Sequence, residues 1–185
     1  IKEIKADNLK VKIFETRDEM GACASQDAAE CIKKLLSEKE EINMIFAAAP
    51  SQNETLAGLV ADKTIDWSRV NAFHMDEYVG LDSSAPQAFG NFLKEHIFGK
   101  LPFKAVYYIC EAGNTEEEIC ETYSKLIKEH PIDIVCLGIG ENGHIAFNDP
   151  WVADFNDKNI IKKVELDEVC RNQQINDGCF SKLSD

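Results

Sequence analysis

The sequence predicts an α/β protein built on a doubly wound, mostly parallel sheet with helices on both faces, a Rossmann-like three-layer sandwich. The first observation is that short apolar runs alternate along the chain with segments of helical spacing, which is the order of repeated β-α-β units. The second is the apolar run 132–137, which leads directly into glycines at 138, 140 and 143. Such a run closed by glycine is typical of a buried strand that ends in a turn.

Each predicted strand is an apolar run bounded by turn residues or by a helix. In chain order the strands are 9–14, which is peripheral and alternates with lysines, then 42–49, 70–75, 105–109 and 132–137. The helices between them are predicted from apolar positions at helical spacing and from capping signals. They run from Thr16 to Ser37, with Thr16 and Glu19 as a capping box, from a cap at Ser51 or Asn53 to about Ala61, from Pro86 through Ile97, and from Thr115 to His130.

The composition limits the partners and the compartment. The 185 residues carry a formal net charge of −13, which repels nucleic acid and anionic lipid. No apolar run approaches the roughly 20 residues of a membrane helix, and no signal peptide is visible. The seven cysteines include no Cys-x-x-Cys pair, which favours a reducing cytoplasm over a disulfide framework or a zinc site. We therefore predict a cytoplasmic protein with no nucleic-acid or membrane partner and no metal.

Polar residues follow three of the predicted strands. His144 comes after the glycines, Asp76 and Glu77 follow the strand 70–75, and the turn 50–53 follows the strand 42–49. The carboxyl ends of parallel strands share one edge, where such sheets bind ligands. Histidine suits proton transfer near neutrality, and adjacent carboxylates raise each other's pKa toward that of a useful base. Taken singly, the same residues also fit a hydrogen-bonded turn, a solvated acidic loop and a helix cap.

Two of these segments resemble a known enzyme family. Phe73-His-Met-Asp-Glu-Tyr-Val-Gly-Leu81 is similar to the Phe-Asn-Met-Asp-Glu-Tyr-Val-Gly-Leu signature of glucosamine-6-phosphate deaminases (isomerases). Gly138-Ile-Gly-Glu-Asn-Gly-His-Ile-Ala-Phe-Asn-Asp-Pro150 is similar to their Gly-Ile-Gly-x-Asp-Gly-His-Ile-Ala-Phe-Asn-Glu-Pro. The related 6-phosphogluconolactonases carry Asp-Glu-Arg and Gly-His-Thr-Ala at these places, so on both counts this chain resembles the deaminases.

The resemblance implies the hydrolytic deamination of an amino-sugar phosphate to a ketose phosphate and ammonia, without a metal or organic cofactor. By position, Asp76 is the base that moves a proton between C2 and C1, and His144 shuttles a proton during ring opening. Asn142 and Asp149 stand where the family places the two carboxylates that orient the histidine. The expected substrate and phosphate ligands form a separate set: Ser51, Gln52, Asn53, Glu77, Gly143 and Arg171.

The chain departs from the family pattern at three places. Asn142 replaces an aspartate, Asp149 is one methylene shorter than a glutamate, and the turn 50–54 replaces a glycine-rich phosphate loop. We also expect that residues 1–185 form a single domain and that further elements follow Asp185. A homo-oligomer is among the partners that we consider. Two alternatives stay open: a 6-phosphogluconolactonase-like hydrolase, in which His144 activates water, and a non-catalytic sugar-phosphate sensor.

Overall fold

The computed structural model describes residues 2–82 and 84–182. Its regular elements alternate between strands and helices, as the sequence predicts. In chain order they are β1 (Lys2–Ala6), β2 (Leu9–Ile13), α1 (Arg17–Glu38), β3 (Ile42–Phe46), α2 (Asn53–Ala61), β4 (Val70–His74), α3 (Phe89–Leu93, continued by a π-helical turn Lys94–Phe98), β5 (Ala105–Tyr107), α4 (Glu116–Glu129), β6 (Ile134–Cys136) and α5 (Glu168–Asn176).

The central sheet contains four parallel strands in the order β5-β4-β3-β6. The chain passes from β3 outward to β4 and β5, and then returns to the other side of β3 to form β6. This reversal creates a topological switch point between β3 and β6, which is where open parallel sheets bind ligands at their carboxyl edge. The predicted parallel α/β architecture is therefore confirmed.

Helices cover both faces of this sheet. On one face, α1, α2 and the π-helical turn pack with alternate side chains of β3 and β4, among them Met44 and Ala72, into the larger core. On the other face, Phe73 of β4 packs with Tyr123 of α4 in a second, smaller cluster. Alternate residues of the same strand thus face opposite layers, as the period of a strand requires. The three-layer arrangement follows from this pattern.

α1 and α2 approach each other more closely than ordinary side chains allow. A Cβ atom at Gly21 would lie 2.2 Å from the Cβ atom of Glu54, and one at Gly58 would lie 2.2 Å from the Oγ atom of Ser25. Both glycines are therefore required by the contact itself. The crossing fixes the start of α2, which directly follows the turn 50–52.

The first two strands form an antiparallel hairpin separate from the central sheet. The predicted peripheral strand 9–14 corresponds to β2, whereas its partner β1 was not predicted. Thr16 caps α1 as expected, and Thr115, the predicted start of the next helix, caps α4. Each accepts an N–H from the residue three positions on at 3.2 Å. None of the helices in the described part of the chain combines the length and apolar composition needed to cross a membrane.

Three local predictions are wrong. The run 132–137 is not a fully buried strand, because β6 is the outer strand of the described sheet and Val135 is 47% exposed. Neither Ser51 nor Asn53 caps α2: a 3-10 turn, Pro50–Gln52, leads straight into the helix, whose first residue is Asn53. The helix predicted from Pro86 begins only at Phe89.

Candidate functional site

The loops after β3, β4 and β6 meet at the carboxyl edge of the sheet. The backbone of Gly138, just after β6, lies beside the turn after β3: a Cβ atom there would be 3.6 Å from both Ser51 Oγ and Gln52 Nε2. The loop after β4 meets the loop after β6 through Tyr78 and Phe147, whose ring centroids are 5.5 Å apart. The structure therefore brings the three polar segments together at the switch point.

The turn after β3 is held in place by hydrogen bonds from the first residue of α1. The guanidinium of Arg17 donates to the carbonyl oxygen of Pro50 at 2.5 Å and pairs with both carboxylate oxygens of Glu54 at 2.7 and 2.9 Å. The N–H groups of Gln52 and Asn53 donate to the carbonyl oxygens of residues 49 and 50. These two N–H groups belong to residues that were predicted to bind phosphate, but they are engaged in hydrogen bonds within the turn.

Asp76 is the candidate base. Its carboxyl group lies in a poorly solvated position next to the charge of Glu77, and burial first and that charge second raise its pKa from 3.8 to about 7. A carboxylate with a pKa near the working pH is well suited to abstract a proton and return it. The chemistry expected of Asp76 therefore has a physical basis in its surroundings.

Glu77 holds the backbone of its own surroundings. One carboxylate oxygen accepts the N–H groups of Tyr78 and Phe89 at 3.0 and 2.9 Å, and the other accepts the N–H of Gly90 at 2.9 Å. It therefore caps the start of α3 while it keeps a negative charge beside Asp76. Its predicted role as a substrate ligand stays a prediction.

His74 fixes the backbone of Asp76 from beneath, a role that sequence reasoning missed. This buried imidazole accepts the N–H of Ile109 on Nε2 at 2.9 Å, so Nδ1 carries the proton and donates to the carbonyl oxygen of Asp76 at 3.0 Å. Burial lowers the pKa of His74, which keeps the ring neutral. The hydroxyl of Tyr123 donates to the His74 carbonyl at 3.0 Å and accepts the His74 N–H at 3.1 Å. The only sequence signal was a histidine where the family signature has asparagine.

His144 packs against the backbone of the glycine turn. A Cβ atom at Gly140 would lie 2.1 Å from the imidazole Cε1 atom, so only glycine leaves room for the ring. The turn is closed by two backbone hydrogen bonds, from Gly140 N–H to His144 carbonyl and from Gly143 N–H to Gly140 carbonyl, both 2.9 Å. Gly143 adopts φ +87°, which glycine tolerates. The Gly143 N–H, a predicted substrate donor, is engaged in this turn.

Asn142 stands at the centre of the hydrogen bonds around His144. Its side-chain nitrogen donates to Asp149 Oδ1 at 2.8 Å and to Asp167 Oδ2 at 2.9 Å. Its side-chain oxygen accepts from the His144 backbone N–H at 3.1 Å and lies 2.7 Å from His144 Nδ1. Because carboxylates only accept, the amide nitrogen must face them and the amide oxygen must face the ring. A neutral His144 is therefore protonated on Nδ1 and has its lone pair on Nε2.

Asp149 provides the negative charge nearest to the imidazole. Its side chain is fully buried, and its Oδ1 atom lies 3.2 Å from His144 Nδ1. Its Oδ2 atom accepts the backbone N–H of Asp167 at 2.8 Å, so both oxygens are paired, as a buried carboxylate requires. An imidazolium formed at His144 gains electrostatic stabilisation from this charge even though residue 142 is neutral.

Cys170 connects this network to Asp76. Its thiol is buried at the start of α5, and burial followed by the charges of Asp149 and Asp167 raises its pKa to about 12. The charge of Asp76 also contributes to the raised pKa of this thiol, so the candidate base lies within electrostatic reach of Cys170. Arg171, the next residue, lies exposed on α5, and its expected contact with phosphate stays a prediction.

One group of side chains has the composition of a metal site. One ligand atom each from His144, Asp149 and Cys170 lie within 4.8 Å of one another in the described part of the chain. In the structure two of these groups carry protons, because the raised pKa keeps Cys170 a thiol and the contact with Asn142 Oδ1 keeps Nδ1 of His144 protonated. The set fits a proton-bearing network, and a cation there would have to displace two protons.

Comparisons with known proteins show the family of this chain. Residues 15–147 match the family of glucosamine-6-phosphate isomerases/6-phosphogluconolactonase. The chain belongs to this family. A glucosamine-6-phosphate deaminase of Listeria monocytogenes (serotype 4a, strain HCC23) is 36% identical over 129 residues, which cover 70% of this chain and 55% of that protein. One of Streptococcus pneumoniae (strain 70585) is 33% identical over 126 residues, 68% of this chain and 52% of that protein.

Solved structures of this family share the fold. A monomeric glucosamine-6-phosphate deaminase superposes with a TM-score of 0.79 at 24% identity, covering 92% of this chain and 70% of that one. The 6-phosphogluconolactonase of Thermotoga maritima gives a TM-score of 0.60 at 27% identity, covering 68% of this chain and 58% of that one. The chain spans about half the length of the curated relatives it matches.

Proposed function

We propose that this chain catalyses the hydrolytic deamination and isomerisation of an amino-sugar phosphate, glucosamine 6-phosphate to fructose 6-phosphate and ammonia, or of a close relative. The observation that carries the proposal is that two groups suited to proton transfer stand on loops at the same carboxyl edge of the sheet. Asp76 has a pKa of about 7, and His144 is held with its lone pair on Nε2 by Asn142. The deaminases among its relatives add support.

Ring opening is the step that His144 suits. Opening a cyclic aldose moves the proton of the C1 hydroxyl to the ring oxygen, so one group must first accept a proton and then donate it. Nε2 of His144 accepts the proton, and the resulting imidazolium is stabilised by Asp149, 3.2 Å from Nδ1. The same nitrogen then returns the proton to the ring oxygen.

The later proton transfer is the step that Asp76 suits. In the open aldose, the C2 proton is acidified by the neighbouring carbonyl, and its removal by a carboxylate gives an enolamine. Return of that proton to C1 gives an imine at C2; addition of water and loss of ammonia then yield the ketose phosphate. A carboxylate with a pKa near 7 both removes and returns this proton near neutrality. A lactonase has no such transfer, so the raised pKa of Asp76 favours the deaminase over the lactonase.

We expect side chains, more than backbone N–H groups, to bind the phosphate of the substrate. Three N–H groups near the site, those of Gln52, Asn53 and Gly143, are engaged in their own turns. The exposed hydroxyl of Ser51, the amide of Gln52 and the guanidinium of Arg171 are the proposed phosphate donors. Hydrogen bonds from these groups to the phosphate dianion are charge-assisted, and such bonds offset the repulsion between the phosphate and a chain of net charge −13.

The test is ammonia release from glucosamine 6-phosphate by the purified protein, run in D2O. We expect ammonia and fructose 6-phosphate that carries deuterium at C1, because the proton moved by Asp76 exchanges with solvent. The substitution Asp76→Asn should abolish the release, and N-acetylglucosamine 6-phosphate should release none, since an amide nitrogen does not leave as ammonia. Hydrolysis of 6-phosphogluconolactone without ammonia release would support the lactonase instead, and binding without turnover would support a sensor.

We also propose that the protein works in the cytoplasm, since all seven cysteines are free thiols, as a reducing compartment favours. The single-domain organisation of residues 1–185, the further elements after Asp185 and a homo-oligomeric state stay predictions.

A further inference from the structure

Two carboxylates, not one, face the amide of Asn142. Its side-chain nitrogen lies 2.8 Å from Asp149 and 2.9 Å from Asp167. The first belongs to the motif that contains His144, whereas Asp167 lies 23 residues beyond the histidine and immediately precedes α5. We propose that Asp167 is a positioning residue for His144: it pairs with Asn142, fixes the orientation of the amide, and supplies the negative charge that residue 142 lacks.

Asp167 does more than cap its helix. Its Oδ1 atom accepts the N–H of Cys170 at 2.7 Å, which is an ordinary N-cap. That bond uses one oxygen only. The second oxygen, Oδ2, accepts from Asn142, and the backbone N–H of Asp167 donates to Asp149 Oδ2 at 2.8 Å. The residue thus contacts both groups that orient the imidazole.

The pairing explains why residue 142 is neutral in this chain. An aspartate at position 142 would place an oxygen where the amide nitrogen now stands, facing the carboxylates of Asp149 and Asp167 at under 3 Å. Three carboxylates in a partly buried cluster repel one another. With asparagine at 142, the amide separates the two charges by donating one hydrogen to each.

The same geometry predicts the effect of changing Asp167 alone. Asparagine is as good an N-cap as aspartate, but it has only one oxygen. When that oxygen accepts from Cys170, its amide nitrogen faces the amide nitrogen of Asn142, and two donors meet. Rotation of the Asn142 amide removes this conflict but turns its oxygen toward Asp149 Oδ1 and its nitrogen toward the backbone N–H of His144. Neither orientation of the amide then satisfies all its neighbours, and in the rotated one a donor faces His144 Nδ1, which moves the proton of the imidazole to Nε2.

A double-mutant cycle tests the pairing, and this kinetic part rests on the proposed function. We expect Asp167→Asn to lower kcat about 10- to 100-fold with a smaller change in KM, and Asn142→Asp to lower it further. The double variant N142D/D167N restores a donor–acceptor pair between residues 142 and 167, although the carboxylate at 142 still faces Asp149. We expect its kcat to exceed that of N142D about fivefold or more. The matched control is Glu168→Gln, which removes one charge from the exposed neighbouring residue.

A second measurement needs no turnover. The chain has four histidines, so selective ¹⁵N-histidine labelling with a His144→Gln reference assigns the signals of His144. We expect Nδ1-protonated shifts in the unchanged protein and in E168Q, and a mixture with Nε2-protonated shifts in D167N.

The outcomes separate this inference from the proposed function. If the unchanged protein turns over no amino-sugar phosphate, the proposed function fails, while the ¹⁵N shifts of the free protein still decide the role of Asp167. Nδ1 protonation in D167N that matches E168Q, together with fold changes in kcat that simply multiply in the double variant, would overturn the inference. An Nε2-protonated His144 in the unchanged protein would overturn it as well.

Discussion

Replacing Asp76 by asparagine should stabilise the fold at neutral pH while it abolishes turnover. The carboxyl group of Asp76 has a pKa of about 7 against an ordinary value of 3.8, because burial and the charge of Glu77 disfavour its ionised form. The difference corresponds to roughly 4 kcal/mol of unfolding free energy. The fold therefore carries a cost at neutral pH for holding this base in place, and a neutral isostere removes it.

The direction of the pH dependence follows from proton binding. Between about pH 4 and pH 7 the folded protein holds a proton on Asp76 that the unfolded chain has released. Stability from this group is therefore fully present below the unfolded pKa and is lost as the pH rises through the folded pKa. We expect Asp76→Asn to raise the free energy of unfolding at pH 8 by about 1–3 kcal/mol, less than the full amount because the amide is itself desolvated.

The assay is urea unfolding followed by circular dichroism, at intervals from pH 4.5 to pH 8.5. The free energy of unfolding of D76N should exceed that of the unchanged protein by no more than about 1 kcal/mol at pH 4.5, and this difference should grow up to about pH 7. The matched control is Asp7→Asn in the exposed turn of the β1–β2 hairpin, where φ is +52° and asparagine is well tolerated. A gain that does not change with pH, or a loss at pH 8, would refute the reasoning.

Two further substitutions test the site. Gly140→Ala places a Cβ atom 2.1 Å from the imidazole of His144, so we expect kcat to fall about 100-fold. The control is Gly138→Ala, whose Cβ atom meets only contacts of 3.6 Å and which should be nearly neutral. Equal losses of kcat in the two variants would contradict the prediction. Glu77→Gln removes the charge that helps to raise the pKa of Asp76, so the acidic limb of the pH–rate profile should move to lower pH, and the weakened cap of α3 should cost about 1–3 kcal/mol in thermal unfolding. An unmoved acidic limb would show that Glu77 does not tune the base.

The central sheet was predictable because its strands leave a local signal. The runs that became β3 and β4 are mostly apolar and are separated by segments of helical spacing, so their boundaries are in error only by a few residues. β1 left no such signal, because three of its five residues are charged and the strand is defined mainly by its pairing with β2. The exposure of β6 depends on which strands flank it in space, and a strand's own residues do not specify that.

Only those residues of the candidate site that lie in recognisable motifs after strands were predictable from the sequence. Asp76 and His144 follow strands, and parallel topology alone brings such residues to one edge. Asp167 precedes a helix, so its sequence context indicates only an N-cap; the second bond of its carboxylate depends on the path of the chain between residues 150 and 167. His74 was hidden for a similar reason, since its partner Ile109 belongs to another strand's loop.

The crossing of α1 and α2 has a consequence for engineering this protein. Because the two helices are in close contact at Gly21 and Gly58, the position of the turn 50–52 depends on a helix contact as well as on its own residues. A glycine-rich loop grafted into this turn should keep the orientation of the present one only while both glycines are retained. A saturation library should therefore tolerate broad variation on the outer face of α1 and almost none at these two positions, and the turn's binding properties can be redesigned without disturbing the scaffold that aims it.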